Sequence, residues 1–151
     1  MTRYGMGLLA VGLVLGISQA RADDKRDNEK LKGEWSLVSL ERNGESEKVT
    51  EASEDYIKLK IEGNNLIYSL YVFKHFVEIK ATFAVDSSKK PKTIDITFKE
   101  GDKDGEVRKG FYELDGDTLK ICLGSPQASE RPAEFQSKGD VLVFSYKRIK
   151  K

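Results

Sequence analysis

From Trp35 to Arg148 apolar and polar residues alternate with a period of two, and that pattern constrains this chain more than any other feature. In "YIKLKIE", Ile57, Leu59 and Ile61 share one face while Tyr56, Lys58 and Lys60 share the other. The same alternation places Val77, Ile79, Ala81 and Phe83 opposite Glu78, Lys80 and Thr82, and sets Ile94, Ile96 and Phe98 on one side of "TIDITFK". Leu119, Ile121 and Leu123 repeat it near the C-terminal end. A side-chain period of two belongs to strands with one buried face. "EWSLVSL", "LIYSLYVF", "VRKGFYEL" and the final "VLVFSYKR" bring the count to about eight short strands. No long amphipathic helix separates them, so the pattern predicts an all-β, antiparallel sandwich or barrel.

The connections agree with that architecture. "EGNN", "KH" at Lys74-His75, "DSSKKPK" and "EGDKDGE" are short and polar, and Asp115-Gly116 is expected to supply the positive φ angles of a tight hairpin. "NGESEKVTEASED" reads as a polar connection with room for one helical turn, and "GSPQASERPAEFQSKGD" as a long loop. The charged "DDKRDNEKLKG" has helical propensity and is expected to form a short helix ending at Gly33. "LIYSLYVF" and the final strand are apolar on both faces, which predicts that the helix or the long loop covers one outer face. No internal repeat, low-complexity segment or second domain is visible.

Residues 1–22, "MTRYGMGLLAVGLVLGISQARA", have the form of a secretory signal peptide. Arg3 precedes an apolar run from Gly5 to Ile17, and Ala20 and Ala22 are small residues at the positions a signal peptidase reads. The run is too short for a stable membrane anchor. The expectation is a secreted or periplasmic chain cleaved near Ala22, with residues 23–151 as one domain. No cysteine follows the run, which argues against a lipid-modified N-terminus.

Of the 26 basic residues, Arg3 and Arg21 fall in the leader, so the remaining 24 face 25 acidic ones, a formal charge of −1. With charges interspersed along the chain, no basic stripe for nucleic acid is present. Cys122 is the only cysteine, so no intramolecular disulfide forms and stability must come from the core or from closing the sheet. It reads as a small side chain within a strand rather than a reactive thiol.

Four segments, "LKGEWSLVSLERNGE", "KKPKTIDITFKEG", "GFYELDGDTLKICL" and "RPAEFQSKGDVLVF", resemble in order an uncharacterised family of small secreted domains common in planctomycete bacteria. The resemblance implies a lipocalin-like β-barrel in an extracytoplasmic protein and implies no reaction. More distantly, Gly33 and Trp35 resemble the Gly-x-Trp of lipocalin first strands, and Arg148 stands where lipocalins place the basic residue that stacks on that Trp. Two departures are a short chain and no long helix between the last two strands. The expected fold is thus an eight-stranded lipocalin-like β-barrel with a short N-terminal helix.

Candidate chemistry is sparse. His75 is the only histidine, and without a Gly-x-Ser-x-Gly elbow it reads as a solvated turn residue. Haem ligation through it is the sharper alternative. Glu100, Asp102, Asp104 and Gly105 imitate the start of a calcium loop, but its twelfth place is Phe111, so the segment reads as a polar hairpin loop. Asp95 and Glu78 lie on outward faces, and Glu113 on a strand of ambiguous alternation. "RPAEF", Arg131 to Phe135, is either a lid over the barrel mouth or a clamp that fixes the long loop.

No catalytic residue, metal or cofactor is therefore assigned, and an enzyme is the least favoured class. An eight-stranded barrel is filled by side chains or holds one small ligand. The expected lining is Trp35, Leu37, Ile57, Leu59, Phe83, Ile96, Phe98, Tyr112 and Phe144, with Tyr112 and Arg148 as polar handles for a small apolar or amphipathic guest. The alternative is a filled barrel acting as a structural domain or on an unknown protein partner.

Overall fold

A computed structural model of the chain describes residues 24–49, 56–99, 105–125 and 130–150. The proposed leader and the acidic positions 100, 102 and 104 of the calcium-like loop lie outside the described residues. A helix, α1, covers residues 24–31. Nine strands follow: β1 (Gly33–Arg42), β2 (Glu45–Lys48), β3 (Tyr56–Glu62), β4 (Asn65–Val72), β5 (His75–Asp86), β6 (Thr93–Phe98), β7 (Val107–Asp115), β8 (Thr118–Leu123) and β9 (Leu142–Arg148).

Every pairing is antiparallel, and β1 also pairs with β9, so β1 and β3 to β9 close into an eight-stranded barrel. β2 is the ninth strand and lies outside that ring. β1 pairs with β3 from Gly33 to Ser36, then hands the same edge to β2 from Ser39 to Arg42. A bulge at Val38 shifts the β1–β9 register between Leu37 and Ser39 and keeps Leu40 opposite Phe144.

The first part of the polar connection after β1 is thus a hairpin, with Asn43 (φ 49°) and Gly44 (φ 77°) as its two turn residues. Positions 50–55, where the sequence leaves room for a helical turn, lie outside the described residues. The β4–β5 turn is Phe73-Lys74 rather than Lys74-His75, so His75 opens β5 opposite Val72. The β7–β8 turn also shifts by one: Asp115 pairs with Thr118 as a strand residue, and only Gly116 has a positive φ. α1 ends two residues before Gly33, which is already the first residue of β1.

The interior holds Trp35, Leu59, Leu66, Ile96, Tyr112, Leu119, Ile121 and Tyr146, each no more than 2% exposed. Outside the barrel a second cluster joins Phe111, Cys122 and Val143, with Phe135 and Val141 of the long loop packed on it. The loop therefore covers the apolar outer face of β9, as its sequence requires. It is clamped there by Arg131, which donates to the carbonyls of Gly110 (2.7 Å) and Ile94 (3.2 Å) and to Asp95 (2.8 Å). Ser137 adds a second clamp, donating to Glu41 at 2.7 Å and accepting from the Gly44 N–H at 2.9 Å. Gly110 lies so close to β8 that a Cβ there would overlap the Cys122 carbonyl.

Candidate functional site

The two ends of the barrel are built differently: one is plugged and covered by α1, and the other holds an apolar cavity. At the closed end, Leu31 of α1 enters the core and its carbonyl accepts the Trp35 indole N–H at 2.9 Å. The Arg148 guanidinium lies 4.2 Å from the Trp35 ring centroid and donates to the carbonyls of Lys30 and Lys32, both at 2.7 Å. One cation thus stacks on the plug and binds carbonyls in and just after the last turn of the helix that covers it. Gly33 permits this approach, because a Cβ there would meet the guanidinium at 2.9 Å. At the other edge of the helix Asp27 accepts from Tyr112 Oη (2.6 Å) and Lys92 Nζ (2.7 Å). Burial alone would raise the Asp27 pKa, but hydrogen bonds from Lys92 and Tyr112 and the charges of Lys92 and Lys30 outweigh it and hold it below the usual range. Asp24 fixes the start of α1 by accepting from the Ser87 N–H and hydroxyl.

At the opposite end a cavity of about 150 Å³ opens to solvent, lined by Ile57, Tyr68, Leu70, Ile79, Phe98 and Phe144, with Ile121, Leu123 and Tyr146 deeper. Arg108 projects into this wall because it shares the inward face of β7 with Gly110 and Tyr112. Its Nε and Nη2 donate to the Gly124 carbonyl at 3.1 and 2.8 Å, and its other N–H groups have no partner among the described residues. Burial pulls the Arg108 pKa down, and the charge of Glu106 acts the other way. Burial raises the Tyr68 phenol well above its ordinary range, with Arg108 opposing, and burial likewise raises Tyr146. Both phenols therefore stay protonated as hydrogen-bonding groups in an apolar wall.

Of the residues expected to line a binding site, Ile57, Phe98 and Phe144 reach the cavity. Trp35, Leu37, Leu59, Phe83, Ile96 and Tyr112 lie in the packed core, and the Tyr112 hydroxyl is engaged by Asp27. Arg148 is at the closed end, away from the cavity. Alternation did not reveal Arg108, because a charged residue within a strand reads as outward. Tyr68 and Tyr146 were hidden in strands that are apolar on both faces.

The other candidates are accounted for by position. His75 is exposed at the start of β5 and does not line the cavity. Asp95 is paired with Arg131 on the outside, and Glu113 is exposed. Phe135 packs against Phe111 on the outer face, 6.2 Å between ring centroids, so "RPAEF" is a clamp. The Cys122 thiol is buried, and burial raises its pKa, opposed by a backbone hydrogen bond at Gln136 and with Glu41 adding to it. Among the described residues no group of three or more His, Cys, Asp and Glu could hold a metal.

The fold and its cavity define a closed antiparallel eight-stranded β-barrel, capped by a helix at one end and hollow at the other. Comparison of the chain with family models, with curated proteins and with solved structures gives no match in any of the three.

Proposed function

We propose that this chain is an exported, non-catalytic, lipocalin-like binding domain that holds a small amphipathic ligand at the mouth of its barrel. The observation that carries the reading is an apolar cavity with one guanidinium in its wall, only part of whose hydrogen-bonding capacity is used among the described residues. A cavity of about 150 Å³ suits a benzene-sized apolar group, well below the roughly 300 Å³ at which drug-sized pockets begin. The guest is therefore a single ring or the end of a short chain, with an acceptor or anionic group against Arg108 and the Tyr68 hydroxyl. Export rests on the form of residues 1–22, and the resemblance to small secreted planctomycete domains supports the same setting.

Native mass spectrometry of the protein purified from its own host should find an N-terminus at Asp23 and a small guest. Leu70→Trp fills the cavity and should abolish the guest without lowering the unfolding midpoint. Arg108→Met should weaken guest binding about ten- to hundredfold, the range for a lost charge-assisted hydrogen bond. A guest that survives Leu70→Trp, or none recovered from the native source, overturns the reading. The filled interior between Trp35 and Ile121 favours the second reading, a structural or protein-interaction domain, in that last case.

A further inference from the structure

The outer surface of β3, β4 and β5 is unlike the rest of the barrel. Strand register places Tyr56, Tyr71 and Phe76 in one row across the three strands, at the rim of the open end. Tyr56 and Tyr71 stack with centroids 4.9 Å apart, and Phe76 lies 5.9 Å from Tyr71. Phe73, at the tip of the hairpin, is 79% exposed and Phe76 is 57% exposed. Behind this aromatic edge the next rows are Lys58, Ser69 and Glu78, then Lys60, Ile67 and Lys80. With Lys74 in the turn, four lysines on this face outnumber Glu62, Glu78 and Asp86, the last at the far end of β5. The Lys58 ammonium lies 5.6 Å from the Tyr56 ring centroid.

The turn itself gives a second, independent signal. Phe73 and Lys74 have φ of 50° and 68°, the backbone of a two-residue turn that favours Asn and Gly. The β1–β2 hairpin meets the same demand with Asn43-Gly44. A side chain in this left-handed region costs about 1–2 kcal/mol per residue. Most of the Phe73 ring nevertheless faces solvent. A costly turn that holds an aromatic ring outward is what an inserting tip requires.

We propose that this rim docks on an anionic lipid bilayer, with Phe73, Phe76 and Tyr71 entering the interface and Lys58, Lys60 and Lys74 reaching the phosphates. An aromatic edge with ammonium groups one or two rows behind it matches the depth profile of an interface, apolar below and anionic above. The cavity opens at the same rim: Leu70 lines it and pairs directly with the exposed Val77. A guest drawn from the bilayer would therefore cross little water.

Phe73→Trp in the full chain supplies a local reporter, because Trp35, the only native tryptophan, is fully buried and contributes a constant background. With vesicles of phosphatidylcholine and phosphatidylglycerol, the emission from residue 73 should shift to the blue and be quenched by brominated lipid. Lys58→Gln with Lys74→Gln should weaken this response about thirtyfold, and pure phosphatidylcholine should give a comparably weak one. Phe76→Ser should weaken it about tenfold while the thermal unfolding midpoint stays put. If residue 73 keeps its water-exposed emission on anionic vesicles, the proposal fails, even where another segment binds the lipid. A blue shift that depends on protein concentration or on an added protein, and not on vesicles, assigns the rim to a protein contact and also overturns it.

Discussion

Arg148 shows how one side chain sets the geometry of a whole end of the molecule. Its guanidinium stacks on Trp35, donates to the Lys30 carbonyl in the last turn of α1 and the Lys32 carbonyl just beyond it, and pairs with Asp117. The Asp117 pair is half exposed and counts for little. The other contacts lead us to expect about 2 kcal/mol lost in Arg148→Met, read from urea unfolding, against almost nothing for Lys150→Ala. Asp27 behaves differently because it titrates. Its pKa is depressed in the folded state, so its contribution is complete above the unfolded value of about 4 and is lost as pH falls through the lower folded value. The unfolding midpoint should therefore drop below about pH 4, and Asp27→Asn should remove part of that slope. A variant with the same acid slope as the parent would show that Asp27 is not among its causes.

At the level of elements, the β4–β5 hairpin sets stability against display. Replacing Phe73-Lys74 by Asn-Gly should relieve the turn and stabilise the fold by about 1–2 kcal/mol in chemical denaturation, while removing the vesicle response. The same hairpin shows where sequence patterns reach their limit. Strands with one face in the core, such as β3, β6 and β8, were legible because burial imposes a period of two. β2 was not, since all four of its residues are exposed and no hydropathy signal marks a strand that is wet on both sides. The Phe73-Lys74 turn lacked the residues that normally announce one. For the closed end, the Gly-x-Trp and the terminal Arg pointed correctly to the stacked pair. For the cavity, the sequence supplied three of the lining residues and missed the polar ones, because which strand end stays unfilled depends on where α1 docks.

At the level of the whole molecule, closure depends on pairing between β1 and β9, whose paired residues are 100 to 113 apart in the chain, and that ladder runs from Trp35 to Arg42. The opposite side of β1 is far less complete. Its ladder with β3 stops at Ser36 and Lys58, and from Ser39 onward β2 occupies that edge instead. Ile57, which lines the cavity, therefore has a ladder partner in β4 and none in β1. Amide exchange should follow this asymmetry, slow at Leu59 and much faster at Ile57. The barrel is in effect a cuff with one unstitched length. A guest larger than the resting cavity should therefore strain that seam first, because among the described residues no ladder pairing joins β1 to β3 beyond Ser36 and Lys58.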